Sequence, residues 1–268
     1  MQNIKLRKTT SELNAIRGPK GLIAYNTDDG SLRVYDGEVL GGWRFEGDPV
    51  ELPPPGASEL IAGDSAAGFY GEVSSSLFIT GEDLAMWIGL SAGDVVNSDP
   101  GWLKFNLDGK TLFVAKQALR NNISWDDINE VSAVYGETTI LINGNNFKVR
   151  LLKGTYSDPP SSGNYGYDIE PTHGSEWNRL LYHVTGVPFE SPNTTLVSEG
   201  ITEGDWAQYS ESELGVSNTG QGYYSWCQET YSNYRVVRGN SVSRIFTGRN
   251  SDYVHTSYGW RPVLELVE

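Results

Sequence analysis

RVVRGNSVSRIFTGRNSDYVHTSYGWRPVLELVE, residues 235–268, is the stretch on which the fold turns. It opens on Val236 and Val237 between two arginines, an apolar-basic strand signal. It closes on Trp260, Val263, Leu264, Leu266 and Val267, a second and more strongly apolar run. A run this apolar must be covered, so the sequence places the last strand in the middle of a core. Between the two runs lies a polar, aromatic excursion rich in Ser, Arg, Asn and Tyr. Such excursions lie on the surface and carry recognition, while the strands hold them in place.

Composition narrows the function classes. The 268 residues suffice for one large domain or two to three small ones, with a sizeable core. The net charge of -14 and the lack of a Lys/Arg cluster argue against a nucleic-acid partner and against an anionic membrane surface. No apolar run reaches membrane-spanning length, and the first ten residues carry no signal-peptide pattern. A single cysteine, Cys227, excludes an intrachain disulfide framework and an all-cysteine metal cluster. With 31 glycines, 8 tryptophans and 15 tyrosines, and little helical periodicity, the chain reads as β-dominated α+β with a few short helices.

The strand and turn signals fall in a consistent order. Apolar and basic residues alternate over 4–7, GLIAY (21–25) follows, and NTDDG (26–30) turns the chain into LRVY (32–35). Three prolines in ELPPPG (51–56) favour extended geometry and mark a boundary. The expected division is a β module over 1–50, a proline-rich linker with a small intermediate module over 51–98, and a larger domain over 99–268. Within 51–98, Thr80 caps a short helix whose apolar face is Leu84, Trp87 and Ile88, stopped by Gly89. Asp108-Gly109 and Asn143-Gly144 are hairpin turns between apolar runs. Ser124 caps a helix with Asp126 and Asp127 in its first turn, and Ser175 caps another with Trp177, Leu180 and Leu181 inward. Thr202, with Asp205, caps a further helix that continues through Trp206 and Tyr209. Residues 223–227, YYSWC, form an aromatic strand.

Two parts of the sequence carry a resemblance. The first forty residues, through LIA (22–24), TDDG (27–30), LRV (32–34) and DG (36–37), resemble the N-terminal module of phage tropism determinants and tail or head fibres, with Leu22 where that module has an acidic residue. At the other end, RVVRGN (235–240) and GWRPVL (259–264) resemble the C-type-lectin-like fold in its formylglycine-generating form, with Asn240, Val242 and Trp260 departing from its Gly, Trp and Phe. SEWNRL (175–180), SWCQET (225–230) and GWRPVLEL (259–266) resemble phage virion and fibre proteins. The resemblance implies a virion protein, assembled in the host cytoplasm, whose first module trimerises and anchors to capsid, collar or tail proteins. Ile4, Leu6, Leu22, Ile23, Leu32 and Val34 would then carry the anchoring. The outer, C-type-lectin-like domain would meet a host cell-surface glycan or protein, or serve a head fibre or capsid decoration protein.

Catalysis is weakly signalled. The oxidase branch of the formylglycine-generating type needs paired cysteines, and Cys227 alone reads as a buried thiol. A cell-wall hydrolase would need His173, His183 or His255 beside a nucleophile, but no nucleophile elbow is present. The acidic pairs Asp126/Asp127, Glu203/Asp205 and Glu211/Glu213 have the chemistry for glycoside cleavage, yet helix starts explain the first two. The sequence therefore points to binding without a covalent step, with no cofactor and no metal. The candidate display face is Ser243, Arg244, Phe246, Arg249, Asn250, Tyr253, His255 and Tyr258, a mixture favoured in recognition loops.

Overall fold

The computed structural model describes residues 6–16, 23–28, 32–35, 38, 43–44, 53–160, 174–185, 206–216 and 223–267. The chain divides into two compact units, Met1–Pro53 with Asn143–Asn145 and Pro54–Ile142 with Asn146–Glu268, so the main break falls inside the proline run.

The first unit holds a four-stranded sheet in sequential order. Strand β1 (Leu6–Lys8) runs parallel to β2 (Ile23–Asn26), and β3 (Leu32–Val34) and β4 (Trp43–Arg44) continue antiparallel. Between β1 and β2 sits a helix that the sequence reading missed, α1 (Thr10–Asn14). Thr9 Oγ1 accepts from the Glu12 amide at 3.4 Å, and the Glu12 carboxylate accepts from the Thr9 amide at 3.0 Å. This reciprocal cap starts a helix too short to show periodicity. Ile23 and Val34 face each other and are half-buried, while Leu32 is exposed. Leu6 pairs with Ala24 in β1, and Ile4 and Leu22 lie outside the described residues. Among the described residues, the apolar ones buried here are Leu13, Ala24 and Tyr35, with the Tyr35 hydroxyl donating to the Leu13 carbonyl at 3.1 Å.

The second unit is β-dominated, with few helices and two sheets. In chain order its strands are β5 (Ala62–Gly63), β6 (Ala67–Val73), β7 (Asp94–Val95), β8 (Trp102–Leu107), β9 (Lys110–Ala115), β10 (Arg120–Asn121), β11 (Tyr135–Ile142), β12 (Asn145–Arg150), β13 (Tyr224–Tyr231), β14 (Tyr234–Gly239), β15 (Phe246–Asn250), β16 (Tyr258–Trp260) and β17 (Val263–Leu266). The seven-stranded sheet has the order β11-β12-β17-β9-β8-β6-β5, and the six-stranded sheet β15-β14-β13-β16-β10-β7. The expected separate module over 51–98 is not separate. Strand β6 pairs along its length with β8, and the helix α2 (Gly81–Ile88) buries Leu84, Ala85 and Ile88 in the same core as Phe113 and Leu264. Trp87, read as inward, is exposed instead, because Ala85 completes the buried face.

Strand β17 lies between β12 and β9, paired on both sides. Its two faces enter different clusters: Leu264 packs with Phe113, Phe147 and Val149, and Val263 with Leu112 and Val114. Both-sided burial explains why the sequence here runs apolar without alternation. The hairpin turns form as read, with Asp108, Gly109, Asn143 and Gly144 all at positive φ. Ser124 caps α3 (Trp125–Glu130), its Oγ accepting from the Asp127 amide at 3.0 Å. Ser175 Oγ likewise accepts from the Asn178 amide at 3.2 Å, but the turn that follows widens into a π-helix over Asn178–Tyr182. The helix predicted through Trp206 and Tyr209 is absent there, and Tyr209 forms a parallel bridge with Thr185; Thr202 and Asp205 lie outside the described residues.

Candidate functional site

The pleat divides the predicted display face. On one side of the six-stranded sheet, Val236, Arg238 and Phe246 point into the core that holds Cys227 and Trp177. On the other side stand Tyr224 and Trp226 of β13, Arg235 and Val237 of β14, Thr247 and Arg249 of β15, and Tyr258 of β16. The register fixes this: Trp226 faces Val237, Val237 faces Thr247, and Arg235 faces Arg249. Trp226 and Val237 are buried, whereas Tyr224, Arg235, Thr247 and Arg249 form a partly open margin.

Three of the predicted residues are therefore structural. Phe246 is core. Ser243 is buried, and its amide and hydroxyl both donate to Glu211 Oε1, at 2.6 and 2.7 Å. Tyr258 is buried with its ring stacked on Tyr224, centroids 4.9 Å apart, and burial pushes its hydroxyl up to about 12. Arg244 is partly buried.

The remaining residues gather at the margin. Tyr253 is 38% exposed and its ring lies parallel to His255 at 6.1 Å; both stand edge-on to Tyr258. His255 Nδ1 accepts from the Ser257 amide at 3.1 Å, which leaves its Nε2 directed away from that turn. Asn250 is exposed but faces Tyr234, on the other side of the pleat from Arg249. The Arg249 guanidinium lies 5.6 Å from the centre of the Tyr258 ring. The sequence reading missed Arg235, whose guanidinium lies 4.5 Å from the centre of the Trp125 ring. Its signal was the two-residue offset from Val237, which puts it on the same face.

The segment is held rigidly from behind. Trp226 Nε1 donates to the Ile123 carbonyl at 2.9 Å and Trp125 Nε1 to the Cys227 carbonyl at 3.0 Å. The Asp126 amide donates to the Ser251 carbonyl at 3.1 Å, and the Ser251 hydroxyl to Asp126 Oδ2 at 2.9 Å. The acidic pairs weighed for catalysis have local partners: Asp127 caps Ser124, Glu213 accepts from Ser210, and Glu211 from Ser243. Glu203 and Asp205 lie outside the described residues, as does His173. Cys227 is wholly buried, and burial pushes its thiol well above the ordinary range. His183 stacks on Trp206 at 4.9 Å. Among the described residues, no three His, Cys, Asp or Glu side chains gather as metal ligands.

No protein-family model matches the chain, and no curated protein does. Among solved structures, the U1 variant of the Major Tropism Determinant aligns over 98% of this chain and 99% of its own, at 11% identity and a TM-score of 0.20. The M1 variant aligns over 99% of each chain, at 12% identity and a TM-score of 0.18. These chains are similar in length and alignable end to end, but TM-scores of this size assign neither a fold nor an activity.

Proposed function

We propose that this chain is a phage virion protein that anchors through its first unit as a homotrimer and displays a C-type-lectin-like binding domain to the host surface. The observation that carries the reading is the open margin of the six-stranded sheet. Arg249, Tyr253 and His255 lie there on a rigid backing of buried aromatics, within the stretch whose sequence resembles phage fibre proteins. Rigid aromatic and guanidinium groups on an immobile frame suit recognition, since little conformational entropy is lost on binding. The break at Pro53 and Pro54 fits an anchor and a display unit folded separately. Binding proceeds without a covalent step, a reading supported by the buried thiol of Cys227 and the local capping roles of Asp127 and Glu213.

Adsorption tests the display half of this reading. Fluorescently labelled chain is incubated with intact host cells, pelleted and quantified, beside a double variant, Arg249→Ala with Tyr253→Ala. The variant should keep its melting temperature and lose most cell-bound signal; equal adsorption removes the proposed face. Light scattering tests the anchor half. The mass should be three times that of the 29.5 kDa chain, and a monomer across a wide concentration range counts against it.

A further inference from the structure

We propose that Arg235 and Arg249 together receive an acidic group carried on a sugar, so that the ligand of this margin is a carboxylate-bearing glycan. The inference rests on the attachment reading above and adds the chemistry of the receptor. Its basis is a register that is unfavourable unless an anion completes it. The two arginines are direct cross-strand partners on adjacent antiparallel strands, and so project from the same face. Like charges in that position repel. Neither arginine has an acidic partner within ion-pair distance among the described residues, although the chain carries 34 acidic residues against 20 basic ones.

Three nearby carboxylates are already engaged, and Asp252 stands exposed next to Tyr253 without an ion pair to either arginine. Asp126 accepts from the Ser251 hydroxyl, Asp158 accepts from the Thr230 amide and hydroxyl, and Glu229 is buried against the amides of Gly154 and Thr155. Each guanidinium is instead laid against a ring, Arg235 on Trp125 and Arg249 on Tyr258. Stacking fixes the plane of a guanidinium and leaves its edge donors for a ligand, the geometry that matches a carboxylate fork. Each arginine gives an Nη1 to the carbonyl of its preceding residue, Tyr234 at 3.3 Å and Gly248 at 2.8 Å, and Arg249 also bonds the Tyr258 hydroxyl, which leaves further N–H donors on both guanidiniums. The sugar half of the inference comes from Tyr253 and His255. Their nearly parallel rings, 14° apart, stand exposed beside the arginines and offer flat apolar faces of the kind on which the C–H face of a pyranose packs.

The full chain is titrated calorimetrically with a galacturonate oligomer, its fully methyl-esterified counterpart and a glutamate oligomer of equal charge. The acidic sugar should bind at least tenfold more tightly than the neutral ester. Arg235→Gln and Arg249→Gln should each weaken it about tenfold, and the pair together should erase the preference over the ester. Neither variant should lower the melting temperature, because each removes a like-charge contact; this readout separates a ligand site from a structural pair. Equal binding of acid and ester, or an acid preference that survives both substitutions, overturns the proposal. Tighter binding of the glutamate oligomer overturns its sugar half in favour of an acidic peptide. Cell adsorption distinguishes the two readings. If cells capture the chain whether or not the arginines are present, the acidic-glycan inference fails and attachment stands. If the oligomer binds through the arginines but no host cell captures the chain, attachment fails and the anion site stands.

Discussion

Four of the five arginines in the C-terminal stretch do two opposite kinds of work, and the contrast shows how this fold separates holding from presenting. Arg238 and Arg261 are both buried against Trp177, their guanidiniums 5.5 and 5.7 Å from its ring centre. Arg238 donates to the carbonyls of Ile245 and Gly154 and to Asn178 Oδ1, at 3.0, 2.6 and 2.7 Å. Arg261 donates to the carbonyls of Lys116 and Leu214. These bonds tie β14 and the start of β17 to four loops at once. Arg235 and Arg249 also lie on rings, but at the open margin, where each bonds the carbonyl of the residue before it and Arg249 also bonds the Tyr258 hydroxyl. Arg235 and Arg238 are three residues apart in one strand, so the pleat alone sends them to opposite faces. The same side chain is a strut on one face and an instrument on the other.

Breaking the inner pair should have the largest effect. Arg238→Ala removes the guanidinium bond to the buried Gly154 carbonyl, strips one bond each from the Ile245 carbonyl and Asn178 Oδ1, and opens a void beside Trp177. The expected loss is about 3–5 kcal/mol, the range for removing one partner of a buried charged network or a large core side chain. Urea denaturation checks it. A loss below about 1 kcal/mol would mean that the loops are held by something other than this guanidinium, and the contrast between the two pairs would collapse.

Glu229 sharpens the same contrast from the acidic side. It follows Cys227 by two residues on β13 and lies almost wholly buried. Its carboxylate accepts from the amides of Gly154 and Thr155, at 3.0 and 3.3 Å, but burial outweighs them and lifts its titration from 4.5 to about 7. The folded chain thus keeps a proton that the unfolded chain has released. Stability falls as pH rises from about 4.5 to about 7 and is flat above that window. The shift corresponds to about 3 kcal/mol at 1.36 kcal/mol per pH unit. Glu229→Gln should remove this slope, seen as equal urea midpoints at pH 5 and pH 8 after correction for the other carboxylates. An unchanged slope would assign the pH dependence to another group.

The strand core was legible because its signals are local or compositional. Val263 and Leu264 announced a buried strand, and Asp108-Gly109 and Asn143-Gly144 announced turns that need positive φ. The caps at Thr80 and Ser124 follow from side chains three residues apart. What the sequence hid was set by pairing between distant residues. Nothing near Ala67–Val73 says that its partner is Trp102–Leu107, so the region looked like a module of its own. The division of the candidate display face was hidden for a related reason. Phe246, Ser243 and Tyr258 share a composition with Tyr253 and Arg249, and only the register decides which point outward. Helix α1 was invisible because five residues carry no period, although Thr9 and Glu12 already spelled its cap. The Arg235–Arg249 pairing could not be read at all, since it depends on where β14 turns into β15.

The smallest expected effect is the one that separates the two faces most cleanly. Tyr253 packs edge-on to Tyr258 yet remains 38% exposed, and its removal uncovers no buried polar group. Tyr253→Ala should change stability by no more than about 0.5 kcal/mol, the ordinary range for a surface position. Binding should behave differently. An exposed aromatic on a rigid frame is the type of residue whose truncation dominates an interface, with losses of about 2 kcal/mol or more. At 1.4 kcal/mol per factor of ten, the affinity for host cells or for an acidic oligosaccharide should drop about twentyfold or more. A variant that loses stability in step with affinity would place Tyr253 with Phe246 among the struts. A variant that loses affinity alone places it with Arg235 and Arg249.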